Sequence, residues 1–230
     1  MLNTSTHSPF SQFQPESTVV RDRVSLSQWL NHKIEPQWRD VLDLSKRVVI
    51  ATRSSTKNDQ ITRTIDTLRF SDHGIVRNQL IQRLGSIADG DREAIQTLIE
   101  LIQTTENDET LWIAVESLRQ AAPGHPVAGV RRSKSIDLCH PVNFNFIVSI
   151  VPKIKNRVGI LLQVYPDASK RHLPSNLKLI LQDESGNSLR EVVSVETDCC
   201  LQLKLSGKYR EIFSVCIELD QVVSIVDFVV

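Results

Sequence analysis

The sequence has little cysteine, and its four cysteines are not arranged as a metal site. No two are spaced as a CxxC pair, whereas structural zinc usually takes its ligands from closely spaced pairs. Adjacent Cys139 and His140 leave a metal site or a Cys–His nucleophile pair open, but no Gly-rich oxyanion motif accompanies a cysteine. Buried structural thiols fit the predicted strands better. We therefore expect no metal, no catalytic residue and reduced thiols in a cytoplasmic protein.

Glycine, aromatic residues and an excess of one charge are also scarce. The eight glycines form neither GxGxxG nor GxxxxGK[ST], so no phosphate-binding motif is present. Aromatic residues make up 5% of the chain, which gives no sign of a cofactor pocket. The 27 basic residues equal the 27 acidic ones, which argues against general nucleic-acid or membrane binding. No apolar run is long enough for a transmembrane helix, and the first residues do not resemble a secretory signal.

The first half of the chain has helical patterning. Residues 1–18 are polar and predict a disordered tail. Residues 25–45 predict a helix in two pieces, broken at Glu35-Pro36, whose apolar side chains share a core. Those side chains are Trp29, Trp38, Val41 and Leu42. A short strand is predicted at 47–52.

Four more helices are predicted from apolar residues at helical spacing. They cover 59–70, 76–87, 92–105 and 108–122. A shift of 34 positions superposes Ile81 on Val115, Leu84 on Leu118 and Gly90 on Gly124. A helical hairpin of that period is typical of an α-solenoid, whose units must stack to bury their apolar faces.

The second half alternates between apolar and polar residues, as in Leu201, Leu203 and Leu205 with Gln202 and Lys204 between them. Period-two runs at this spacing predict an antiparallel sandwich or barrel. The predicted strands are 134–139, 143–151, 157–165, 176–183, 188–196, 199–205, 211–219 and 222–229. We expect an α+β protein of two domains, a HEAT-like helical solenoid fragment at 19–128 and an antiparallel, Ig-like β-sandwich at 129–230.

Two groups of residues are candidates for binding. A polar ridge on the helices contains Glu100, Gln103, Glu116 and Arg119, with Trp112 either in the core or an exposed anchor. Basic residues follow in three clusters, which would form one positive patch if their loops meet at one end of the sandwich. The alternative is solvated loop charge. The clusters are Arg131, Arg132 and Lys134; Lys153, Lys155 and Arg157; and Lys170 and Arg171.

Three segments carry a resemblance to known families. The run from Leu173-Pro174 through Asn176-Leu177 and Asp183-Glu184 to Leu189 resembles the cyanobacterial family called domain of unknown function 1822. Leu26, Trp29 and Trp38 resemble that family's N-terminal segment, and residues 90–128 resemble cyanobacterial HEAT repeats. The family implies source and architecture but no chemistry, and HEAT repeats imply protein contact surfaces.

These observations predict a non-catalytic protein–protein interaction module or regulatory adaptor, without a cofactor, in the cytoplasm of a cyanobacterium. Its partner would be a protein, and neither a membrane nor nucleic acid. Two alternatives remain open. One is a bilin lyase-like HEAT-repeat protein that acts on antenna proteins, and the other is a regulator that sequesters a transcription factor such as a sigma factor.

Overall fold

A computed structural model describes residues 23–41, 55–71, 74–139 and 142–230 of the chain. The predicted tail, the predicted strand at 47–52 and His140 lie outside these residues. The helices are α1 Leu26–Trp29, α2 Ser55–Arg69, α3 Gly74–Ala88, α4 Arg92–Thr104 and α5 Asp108–Ala121. The strands are β1 Val24–Ser25, β2 Arg39–Asp40, β3 Val130–Cys139, β4 Val142–Lys153, β5 Arg157–Pro166, β6 Lys178–Gln182, β7 Ser188–Val193, β8 Leu201–Lys208, β9 Ile212–Leu219 and β10 Val222–Val229.

The strands form two five-stranded sheets in this mixed α+β fold. Sheet A has the order β1-β10-β9-β6-β7, and sheet B has the order β2-β3-β4-β5-β8. Neighbours are antiparallel except for β1, which runs parallel to β10. The eight strands predicted in the second half are thus confirmed, with shifted ends, because their alternating apolar residues needed a buried face.

One large core takes side chains from both sheets. Alternate residues of the long strands are buried there, as Phe146, Ile160, Ile217 and Phe228 illustrate at 0% exposure. Residues of opposite parity on the same strands face outward, so each sheet has an inner and an outer face.

The prediction of two helices over 25–45 is wrong. In the described part of this segment, α1 is a single turn and Arg39–Asp40 pairs with β3 instead of continuing a helix. The carboxylate of Glu35 accepts hydrogen bonds from Trp29 Nε1 at 2.7 Å and from the Ser25 amide at 3.2 Å, which holds the chain in a compact turn. Trp29 and Trp38 do share a core, but it is the core between the sheets.

Helices α2–α5 form a layer that packs on the outer face of sheet B. Their apolar residues make a second core, which also contains Val151 of β4 and Leu161 of β5. Helix α5 comes close to β5 at Gly159, because a Cβ added there would lie 2.8 Å from Leu111 Cδ2. The helical layer therefore uses sheet B as its floor. The domain boundary at residue 128, between the helical part and the strands, stays a prediction. Residues 24–38 lie before that boundary, yet they contribute to the core between the sheets.

Ion pairs fasten the start of α5 to sheet B. Lys153 Nζ lies 2.7 Å from Asp108 Oδ1 and 3.1 Å from Ser206 Oγ, and only 7% of the Lys153 side chain is exposed. Lys204 pairs with Glu109 nearby. Because Asp108 and Glu109 occupy the first turn of α5, the helix dipole also favours their negative charges.

Candidate functional site

A cavity of about 440 Å³ lies between α5 and the outer face of sheet B. That volume is within the usual range for ligand pockets, which is roughly 300–1,000 Å³. Its walls combine two helices, α5 and α3 through Gln82, with outward-facing residues of three strands, so both halves of the chain contribute to it.

Strand pairing sets the floor of the cavity. Leu161 of β5 is paired with Lys204 of β8, and two residues further along Gln163 is paired with Gln202. These four residues share the outer face of sheet B, because side chains two apart on a strand point the same way. Arg131 of β3 lies two strands away in the same row as Leu161, through Ser149 of β4.

Helical spacing sets the roof. Trp112, Glu116 and Arg119 follow one another at i, i+4 and i+7, so they lie on one face of α5. All three line the cavity. Trp112 is 4% exposed and Arg119 is 6% exposed, whereas Glu116 is open to solvent.

The cations of the cavity differ in their partners. Arg119 donates to the Ala128 carbonyl at 2.9 Å and lies 3.6 Å from Glu116. Lys204 is paired with Glu109. Among the described residues, the Arg131 guanidinium has no acidic partner within ion-pair distance, and its buried Nε has no hydrogen-bond acceptor. Within the described ranges, Arg131 is therefore a cation of the cavity wall without an acidic partner.

A second donor in the wall also lacks an acceptor. The indole N–H of Trp112 is buried and donates to no acceptor within the part of the chain that the structure describes. Buried polar groups are nearly always hydrogen-bonded in folded proteins. Two unsatisfied donors in the wall of one cavity, Arg131 and Trp112, therefore indicate a place where a ligand could supply acceptors.

Two titratable groups near the cavity, Tyr165 and Cys200, stay neutral at pH 7. Burial raises the pKa of Tyr165 to about 12, and the Tyr165 hydroxyl accepts a hydrogen bond from Gln163 Nε2 at 3.0 Å. Burial also raises the pKa of the Cys200 thiol. Neither group supplies an anionic nucleophile at neutral pH, so these side chains are suited to hydrogen bonding.

Lys153 and Ser206 form the arrangement closest to a nucleophile and base. Their 3.1 Å contact resembles a Ser–Lys pair, but Asp108 contacts both of them, at 2.7 Å from Lys153 and 2.8 Å from Ser206. Lys153 Nζ donates to Ser206 Oγ, and the Ser206 hydroxyl donates to Asp108 Oδ1, so the lysine is not placed to take the serine proton. We interpret the cluster as a structural link between α5 and sheet B.

The structure brings together part of the predicted helical ridge. Trp112, Glu116 and Arg119 meet in the cavity, whereas Glu100 and Gln103 are exposed on α4 and do not line it. The exposed-anchor alternative for Trp112 is wrong, because the side chain is buried between α5 and sheet B. Arg119 is likewise buried and not an open surface contact.

The three predicted basic clusters do not meet at one end of the fold. Lys153 and Arg157 are paired in the hairpin at the start of β5. Lys170 and Arg171 follow the other end of that strand, where Leu173 N donates to the Asp198 carbonyl. Lys134 lies within β3.

Acidic groups also neutralise part of this charge. Lys153 pairs with Asp108, Lys155 with Glu106 and Arg132 with Asp40. One patch is therefore not formed, and Arg131 is the member of these clusters that lines the cavity beside α5.

Sequence reasoning did not select Gln163, Tyr165, Gln202 or Lys204 as site residues. A signal was present, because these polar residues alternate with the apolar core positions of β5 and β8 and so face outward. The alternation does not reveal which helix covers that face.

Almost the whole chain matches one known family. A family model described as protein of unknown function (DUF1822) matches residues 4–228. The chain belongs to this family. The resemblance predicted from the C-terminal run and from the N-terminal tryptophans is therefore confirmed.

The remaining comparisons add little. No curated protein matches the chain. One solved structure is similar in part, an endonuclease/exonuclease/phosphatase from Beutenbergia cavernae DSM 12333, at 12% identity over 43% of this chain and 26% of that chain. Its TM-score of 0.26 is too low to support an argument about fold or activity.

None of the helices among the described residues is both long and apolar enough to cross a membrane. Within the same ranges, no three His, Cys, Asp or Glu side chains are grouped so as to hold a metal ion.

Proposed function

We propose that this DUF1822 protein is a non-catalytic interaction module, or regulatory adaptor, that binds a segment of a partner protein in the cavity beneath α5. The observation that carries the proposal is the pair of unsatisfied donors, on Arg131 and Trp112, in a wall that also contains glutamine side chains. Donors and amides of this kind match the backbone and side chains of a peptide. The cyanobacterial source and the cytoplasmic location stay predictions.

The helical layer supports a HEAT-like interpretation within this proposal. Helices α3 and α5 pack directly on each other. The residues that the shift of 34 positions superposes are fully buried, namely Ile81 with Val115 and Leu84 with Leu118. Gly90 and Gly124, also 34 apart, both have φ of +80°. HEAT-like units commonly present such a stack to protein partners.

An Ig-like sandwich is the matching interpretation of the strands. Two mainly antiparallel sheets share one core, as in sandwich domains. In this proposal the sandwich supplies the floor of the binding site, and the incomplete helical stack supplies its roof.

Site-specific photocrosslinking tests the proposal. A photoreactive amino acid would replace Gln120 of α5 or Gln202 of β8, which are exposed and line the cavity. Lys208 is the matched control, because it lies on the same face of β8 but outside the cavity. The proteins would be expressed in a cyanobacterial host and irradiated.

We expect one protein adduct of the same mass from both cavity positions and none of that mass from position 208. Identical adducts from all three positions, or none from the cavity positions, would contradict the proposal. A regulator of a sigma factor would give an adduct with that factor. If the protein is instead bilin lyase-like, mixing it with free bilin would shift the bilin absorbance, and the common adduct would contain an antenna protein.

A further inference from the structure

We propose that the cavity recognises a carboxylate of the partner segment, and that Arg131 is the residue that binds it. This inference rests on the proposed function and names the chemistry of its site. The carboxylate would belong either to an Asp or Glu side chain or to a chain terminus.

The three cations in the cavity wall differ in whether they have an acidic partner. Arg119 already has Glu116 and the Ala128 carbonyl, and Lys204 already has Glu109. Arg131 has no acidic partner among residues 23–41, 55–71, 74–139 and 142–230, so one positive charge of the cavity lacks compensation. Leaving a partly buried charge unpaired is unfavourable, and a ligand of opposite charge removes that cost.

Geometry and charge together favour a carboxylate over a phosphate. A guanidinium presents a planar fork of N–H donors, which matches the two oxygens of a carboxylate. A carboxylate carries a single negative charge and so neutralises Arg131 alone. A phosphate monoester carries about 1.5 to 2 negative charges at pH 7, which would leave an excess of negative charge next to Glu116.

The surroundings of Arg131 also fit this ligand. Among the described residues, the buried indole N–H of Trp112 is a donor without an acceptor in the same wall. A carbonyl or carboxylate oxygen of the bound segment would supply an acceptor for it. Gln163 and Gln202 in the floor offer amides to the peptide groups that flank the carboxylate.

The test follows the Arg131 Nε–H signal in proton–nitrogen spectra of the full chain. The signal is assigned by its loss in R131Q. Four probes are titrated: N-acetylglutamate N′-methylamide for a side-chain carboxylate, N-acetylalanine for a terminal one, N-acetylglutamine N′-methylamide as the neutral control, and inorganic phosphate.

We expect one of the two carboxylates to shift the Arg131 signal, and the neutral amide to leave it unchanged. R131Q should weaken binding of that carboxylate at least about tenfold, whereas R157Q, which removes an exposed arginine further along the outer face of β5, should not. R131K should bind with intermediate affinity, because it keeps the charge but loses the fork.

Two results would overturn the inference. In the first, neither carboxylate moves any arginine Nε–H signal of the wild-type protein, an outcome that needs no assignment and therefore no folded variant. In the second, phosphate binds more tightly than both carboxylates. If crosslinking still gives the common adduct in either case, the proposed function stands and only the carboxylate assignment is wrong.

Discussion

Replacing Lys153 with methionine tests whether the ion pairs at the start of α5 hold the helical layer on sheet B. Lys153 has 7% of its side chain exposed and contacts Asp108 and Ser206 together. Methionine fills most of the same space but removes all the donors. The variant therefore isolates the polar contacts from the packing.

The size of the effect follows from burial. Removing one partner of a fully buried ion pair costs about 3–5 kcal/mol. In K153M, Asp108 would keep 35% of its side chain exposed and would keep the hydrogen bond from Ser206 at 2.8 Å, so its charge would still be partly stabilised by water and by that bond. We expect K153M to lower the free energy of unfolding by about 1–3 kcal/mol, between the ranges for surface and buried pairs.

Urea denaturation measures this loss, with K155M as the control. Lys155 and Glu106 form a neighbouring pair whose side chains are 71% and 68% exposed. Exposed pairs contribute little to stability, so K155M should change the midpoint little. If K153M costs no more than K155M, the cluster does not fasten the helical layer and the reasoning is wrong.

The same cluster predicts a pH dependence. Burial of Asp108 raises its pKa, but hydrogen bonds from Lys153 and Ser206 and the charges of Lys153 and Arg157 outweigh burial, so the pKa lies below 3.8. A carboxyl whose pKa is lower in the folded state stabilises the fold above its unfolded pKa and loses that contribution as pH falls through the folded value. The difference in unfolding free energy between wild type and K153M should therefore be constant above about pH 5 and shrink toward pH 3.

Further predictions concern packing and ionisation, beside the crosslinking and the carboxylate titration above. G159A should lower the free energy of unfolding by about 1–3 kcal/mol, because the new Cβ would lie 2.8 Å from Leu111 Cδ2. G74A is the control, since a Cβ added at that position meets nothing within 4 Å. Equal midpoints for the two variants in thermal unfolding would refute the close contact. Tyr165 should stay protonated until about pH 12 in an ultraviolet titration. Because its pKa is raised, it stabilises the fold below its unfolded value of 10.0 and loses that contribution as pH rises toward 12, so the stability of Y165F should fall less over this interval; parallel curves would contradict the assignment.

The strands and helices were largely predictable because their apolar periods are regular. Leu201, Leu203 and Leu205 alternate with polar residues and all belong to the core between the sheets or pack against it. The helix over 108–122 was predicted from Leu111, Val115 and Leu118, which are now fully buried. Local pattern was sufficient in both cases, since each element has one clearly apolar face.

The segment 24–41 was not predictable in this way. Its apolar residues permit a helix, but Trp38 packs against Trp29 and against Phe146 and Phe228 of the sheets, and all four side chains belong to the core between the sheets. Tertiary contact outweighed local propensity, as it commonly does for a helix of few turns.

The cavity was predictable only in part. Spacing on α5 placed Trp112, Glu116 and Arg119 on one face, but nothing in the sequence indicated that this face lies over Arg131. Long-range pairing decides that, since Arg131 reaches the cavity through the register of β3 on β4 and of β4 on β5. The sequence therefore indicated the basic cluster at 131–134 through its charge. What distinguishes Arg131 in the structure is that no acidic side chain of the described residues pairs with it.

The chain leaves sheet B at β2 and returns to the same edge at β3. Arg132 and Asp40 are ion-paired neighbours although they are 92 positions apart, and Val41 N donates to the Arg131 carbonyl at 3.4 Å. Helices α2–α5 therefore lie in a stretch of chain whose two ends meet at one edge of sheet B. Chain length can change between such ends at small entropic cost and without moving the strands. Relatives that differ in the number of helices should therefore keep the β2–β3 junction and the two tryptophans that precede it.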